Sequence, residues 1–110
     1  MLEKTRKKIH LFGNLLQDFY AIDQVGDIRT CGLIAGIELV KNPTTKEPFP
    51  FELRLGHRVT LEARRRGAIV RPLGDTLVLM PPLAITEPEL GKLVRIVVDS
   101  TRAALATVTS

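Results

Sequence analysis

Arg71-Pro-Leu-Gly-Asp-Thr-Leu-Val-Leu-Met-Pro-Pro-Leu83 sets an arginine and a tight turn between two apolar runs that read as strands. Pro72 biases Arg71 towards an extended backbone and has no N–H for a sheet ladder, so a strand from Ala68 to Arg71 is expected to end there. Gly74-Asp75 carries turn chemistry, Thr76 to Met80 is rich in sheet formers, and Pro81-Pro82 stops the run. The expected product is a β-hairpin with Arg71 near its mouth.

Amphipathic helices flank this hairpin on both sides. Upstream, Leu55, Val59 and Ala63 share one face of a helix expected over Glu52 to Arg66, and Gly67 is placed to stop it. Downstream, Thr86-Glu-Pro-Glu89 has the spacing of a capping box, followed by an apolar stripe of Leu90, Leu93, Val94, Val97 and Val98. Beyond Ala104 the residues are small and polar, and the tail is expected to fray.

Further upstream, Asn42 to Pro50 contains three prolines and reads as a loop, with Phe49 and Phe51 tacking it down. Val25 to Thr30 and Gly32 to Val40 read as a strand pair or as one bent strand. Leu2, Ile9, Phe12, Leu15, Leu16 and Phe19 recur at helical spacing and predict a helix over residues 2–19. The sum is an α+β fold: a small, mostly antiparallel sheet with about three helices packed mainly on one face.

With 110 residues, 45% of them hydrophobic and 25% charged, the chain reads as one globular domain, residues 1–110. No apolar stretch is long enough to span a membrane, and the charged start lacks the apolar centre of a signal peptide. The single cysteine, Cys31, has no internal disulfide partner; its apolar neighbours suggest a buried thiol in a reducing compartment, the cytoplasm. A formal charge of +4 permits an anionic ligand or nucleic acid without establishing either.

Arg71 is the candidate functional residue, because a guanidinium offers a planar fork that matches a carboxylate in two parallel hydrogen bonds. The plainer alternative is a strand-end arginine paired with Glu38 or solvated. Glu38 itself has no second acid or histidine at a spacing that would make it a catalytic base. His10, His57 and Cys31 show no metal-ligand spacing, so no metal site is expected. Arg64-Arg65-Arg66 with the basic first helix is the best nucleic-acid signal, yet aromatic residues that could stack on bases are scarce. This leaves open a stand-alone module that binds nucleic acid or an acidic ligand through its basic surface. None of the six lysines sits in an apolar setting suited to imine chemistry, and no catalytic residue is assigned.

Ile28-Arg-Thr-Cys-Gly-Leu-Ile-Ala-Gly-Ile-Glu-Leu-Val40, Lys46-Glu-Pro-Phe-Pro50, Leu61-Glu-Ala-Arg-Arg-Arg-Gly67 and the Arg71–Leu83 phrase together resemble the C-terminal small domain of class III aminotransferases. The likeness is strongest to the biotin-pathway branch of that class. It implies a transaminase that uses pyridoxal 5'-phosphate to aminate 8-amino-7-oxononanoate to 7,8-diaminononanoate, and a parent enzyme that is a homodimer. It also implies that the Schiff-base lysine and the cofactor-binding groups belong to a large domain of the same polypeptide. On this reading the chain alone binds no cofactor and is inactive. Arg71 matches the family arginine that grips the carboxylate of the keto acid substrate, a role in positioning. Nucleic acid and membrane are not expected as partners.

Overall fold

Apolar residues at helical spacing near the start of the chain form helix α1, Leu2–Leu16, which buries Phe12 and Leu16. The structure, a computed structural model, describes residues 2–42, 44–45, 47–49, 54–67, 70–82 and 84–109. The expected first helix tightens to a 3₁₀ segment at Gln17–Ala21, which turns Phe19 into the core. Strands β1, Val25–Cys31, and β2, Ile34–Leu39, then pair antiparallel. They are two strands, because Cys31 pairs with Ile34 across the two-residue loop Gly32-Leu33, and Gly32 takes the positive φ of 61° that such loops need. Helix α2, Leu55–Arg65, strands β3, Arg71–Leu73, and β4, Thr76–Leu79, and helix α3, Glu87–Thr109, complete the order.

The hairpin at Arg71 forms, with a shifted boundary. Leu73 pairs with Thr76 around Gly74-Asp75, and Gly74 has φ 63°. The strand expected to stop at Arg71 instead begins there and runs through Pro72 to Leu73; Ala68 and Ile69 lie outside the described residues. The reason is the strand order, β1-β2-β4-β3, which puts β3 at the edge of the sheet. In a two-residue hairpin the loop-closing pair, here Leu73 and Thr76, exchanges ladder hydrogen bonds, so the next residue along, Pro72, directs its N-side outward. No ladder bond is lost there.

All pairings are antiparallel, and the register sorts the side chains onto two faces. Pro72, Leu77, Ile37 and Ile28 form one row, and Leu77 and Ile37 within it are fully buried with Ala35, Leu39 and Leu79 nearby in the same cluster. This face meets the helices: Leu55, Val59 and Ala63 of α2 and Leu90, Val94 and Val97 of α3 join the same core. The opposite face is bare among the described residues. A bulge at Gly26 lets Val25 and Asp27, two residues apart, pair with Leu39 and Glu38 and so face opposite ways.

The tail does not fray at Ala104. Helix α3 continues to Thr109, Ala104 and Leu105 are buried, and Arg58 of α2 donates a hydrogen bond to Thr107 Oγ1 at 3.2 Å. Phe49 is buried, as expected of a loop anchor, whereas Phe51, Glu52 and Leu53 lie outside the described residues. Gly67 follows α2 with φ 92°, its N–H bonded to the Arg64 carbonyl at 3.1 Å. Among the described residues no helix is long and apolar enough to cross a membrane.

The capping box forms as read. The Glu89 N–H donates to Thr86 Oγ1 at 3.2 Å, and the Thr86 N–H donates to Glu89 Oε1 at 3.0 Å. These bonds favour the ionised carboxylate and hold Glu89 below the ordinary glutamate value of 4.5. For an acid with a lowered folded pKa, the stabilisation is complete above the unfolded value and is lost as pH falls through the folded one. Glu89→Gln should therefore lower the urea midpoint at neutral pH, with the gap to the parent closing as the solution is acidified below 4.5. A gap independent of pH would assign the effect to something other than the charge.

Candidate functional site

Arg71 opens β3, and its alternation with Pro72 sends its side chain to the bare face of the sheet. Cross-strand pairing builds a row Arg71, Val78, Gly36, Arg29 on that face, and beside it a second row Leu73, Thr76, Glu38, Asp27. Leu73 is 72% exposed and Ile34, further along, is 49% exposed. Cys31 also lies here and is exposed, which corrects the expectation of a buried thiol: its pairing with Ile34 places it on the open side.

The Arg71 guanidinium is exposed, and among the described residues no ion pair or hydrogen bond engages it. The pairing with Glu38 that the sequence left open does not form. Arg29 bonds Asp27 Oδ2 at 3.1 Å instead, and Glu38 stays half-buried in the middle of the face. Arg71 borders an open depression of about 420 Å³ whose other walls include Val78, Met80, Pro82, Ile85 and Leu93. Among the described residues of that lining it is the one ionisable group. A single unpaired guanidinium beside aliphatic walls suits a carboxylate at the end of an apolar chain.

The hairpin that carries Arg71 is clasped from below by α2. Gly56 is buried at the start of that helix, where a β-carbon would run into the Gly74 carbonyl and crowd Pro72 Cβ. Its N–H faces the Asp75 carboxylate and favours the charged form. Arg54, the residue before the helix, has φ 46° and gives no side-chain cap, so the carboxylate that faces this helix start comes from the β3–β4 turn. Burial pushes the Asp75 carboxyl above its ordinary value of 3.8, and the Gly56 bond offsets part of that rise. Neither residue was singled out from the sequence; Gly-Asp signalled only a turn, and the partner lies on a different element.

The remaining candidates stay apart. His10 and His57 are exposed on α1 and α2, and among the described residues no group of three or more His, Cys, Asp or Glu is placed to hold a metal ion. Of the arginine run, Arg65 and Arg66 both pair with Glu62, at 3.8 Å and 2.7 Å, which offsets its positive charge. Pyridoxal phosphate needs an amine for its imine and donors for its phosphate. Lys7, Lys41 and Lys92 are exposed, Lys8 is half-buried, and none lines the depression beside Arg71. The described residues do not fit the cofactor by themselves.

Antiparallel sheet, three covering helices and an edge arginine over an apolar depression agree with comparison to known proteins. The class-III aminotransferase family profile matches residues 1–100, and the chain belongs to that family. Among its relatives, adenosylmethionine-8-amino-7-oxononanoate aminotransferase of Nitratidesulfovibrio vulgaris is 56% identical over 96 residues, covering 87% of this chain and 18% of the relative. The enzyme of the same name from Geobacter sulfurreducens is 49% identical over 94 residues, covering 86% of this chain and 21% of the relative. The crystal structure of that aminotransferase from Methanocaldococcus jannaschii superposes with a TM-score of 0.88 at 38% identity, covering 92% of this chain and 23% of that one. The chain thus spans about a fifth of the length of the curated relatives it matches.

Proposed function

We propose that this chain is the C-terminal small domain of a pyridoxal-phosphate-dependent transaminase that aminates 8-amino-7-oxononanoate to 7,8-diaminononanoate in biotin biosynthesis. The observation that carries this reading is the 56% identity, over 96 residues, to a relative named for that acceptor. Arg71, unpaired among the described residues and beside an aliphatic depression, supports it, because the acceptor is a long acid with a carboxylate at one end. Arg71 binds that carboxylate and holds the chain in register, so that the ketone is presented at a fixed distance from the anchored end. The amine-bearing cofactor and its lysine sit in a large domain of the same polypeptide, and the enzyme is a homodimer in the cytoplasm, where the exposed Cys31 thiol stays reduced.

The test is a product assay with two arms. The full-length polypeptide, supplied with pyridoxal phosphate, 8-amino-7-oxononanoate and either S-adenosylmethionine or lysine as donor, should form 7,8-diaminononanoate. The 110-residue chain alone should form none. Turnover of other keto acids by the full-length enzyme with none of this acceptor would overturn the substrate, and product from the chain alone would overturn its reading as one part of the active site.

A further inference from the structure

Arg71 stands on a short support. Strand β3 has three residues, pairs on one side only, and contains a proline at its centre. A ladder this brief does little to fix the height of the hairpin above the helices, so the contacts below it decide where the arginine stands. Those contacts converge on one residue. Gly56 leaves no room for a β-carbon against the Gly74 carbonyl and Pro72 Cβ, and its N–H faces the Asp75 carboxylate, so it approaches three of the four residues that follow Arg71. The Asp75 carbonyl in turn accepts the Leu39 N–H at 2.9 Å, which ties the same turn to β2.

We propose that Gly56 and Asp75 are positioning residues for substrate binding: the clasp between the start of α2 and the β3–β4 turn sets the reach of the Arg71 guanidinium. The proposal rests on the reading of Arg71 as the carboxylate anchor. A β-carbon at position 56 would overlap the Gly74 carbonyl oxygen and stand 3.2 Å from Pro72 Cβ, so Gly56→Ala must move the turn away from the helix. The displacement passes through Pro72, whose ring restricts φ, directly to Arg71. Asp75→Asn keeps the size of the side chain and an acceptor oxygen but removes the charge that faces the helix start.

The experiment measures steady-state kinetics of the full-length enzyme carrying Gly56→Ala, Asp75→Asn, Arg71→Ala or Gly56→Ala with Arg71→Ala. Gly56→Ala should raise the KM for the carboxylate acceptor about tenfold or more, because a misplacement of about 1 Å in a positioning group is costly. Cofactor affinity and the rate of the donor half-reaction should hold at their parent values. A methyl ester of the acceptor should show no such rise, and in the Arg71→Ala background Gly56→Ala should add nothing further. Asp75→Asn should move KM in the same direction by a smaller factor, and it decides the matter where Gly56→Ala fails to fold.

Parent-like KM in folded Gly56→Ala, or in Asp75→Asn when that variant decides, overturns the positioning role. So does a loss shared equally by acid and ester, or an additive effect on top of Arg71→Ala. An unchanged acceptor KM in Arg71→Ala overturns the anchor reading itself and the positioning role with it. A raised KM in Arg71→Ala with none in the clasp variants removes the clasp alone.

Discussion

Arg71→Ala in the full-length enzyme is expected to raise the KM for the carboxylate acceptor about 10- to 100-fold while cofactor affinity stays at its parent value. The magnitude follows from the bond type. A hydrogen bond to a charged group contributes about 1.5–3 kcal/mol, and each 1.4 kcal/mol is roughly tenfold in affinity. Arg71 has no competing partner among the described residues, so its donors need not be released from another bond before an acid binds. Arg71→Lys should recover only part of the loss, because an ammonium keeps the charge and discards the planar fork. The measurement is acceptor KM against the cofactor dissociation constant; equal losses in both would make Arg71 a structural residue.

Leu77→Ala should destabilise the domain by about 2–5 kcal/mol, whereas Val78→Ala next to it should cost under about 1 kcal/mol. Leu77 is fully buried in the central row of the core face, between Pro72 and Ile37. Val78 lies on the bare face, half-buried, between Arg71 and Gly36. Domains of this size are stable by only about 5–15 kcal/mol in total, so the first change alone brings the fold near its limit. Urea unfolding of the 110-residue chain and both variants checks this through the shift in midpoint at a common slope. Equal shifts would mean that both faces of the sheet are covered in solution.

The contrast between those neighbours marks what the sequence could reveal. Local chemistry was legible wherever it was complete within a few residues. Gly74-Asp75 made its turn, Thr86 and Glu89 made their reciprocal bonds, and Gly67 ended its helix. Long-range consequences were not. Pro72 reads as a strand stop because nothing in the sequence says that β3 is an edge, where the missing donor is harmless. The small residues after Ala104 read as a fraying tail because their helix is held by tertiary contact, through buried Leu105 and the Arg58 bond to Thr107. Cys31 reads as buried because its neighbours are apolar, and only the pairing register shows which side it faces.

The candidate site divides in the same way. Arg71 was visible as a cation beside a turn, and family resemblance gave it a role, but its freedom from Glu38 is a result of register: Glu38 lies in the other row, opposite Thr76 and Asp27. The approach of Gly56 to Asp75 was invisible, since Asp75 read only as a turn residue and their joint meaning comes from a helix start meeting a distant turn. Gly26 and Gly36 are both glycines inside strands, yet only Gly26 sits in a bulge, so the residue type alone did not reveal it.

The proline at the centre of β3 also governs how this sheet behaves towards other chains. An edge strand is a template for fibril growth when a row of free N–H and C=O groups faces solvent. Here that edge is three residues long, and the donor at its middle position is absent from the chemistry of the residue. An incoming strand finds only the Pro72 carbonyl there and no donor, so the edge that bears Arg71 is a poor template for sheet-to-sheet aggregation. The seven-residue β1, at the other end of the sheet, carries no such guard.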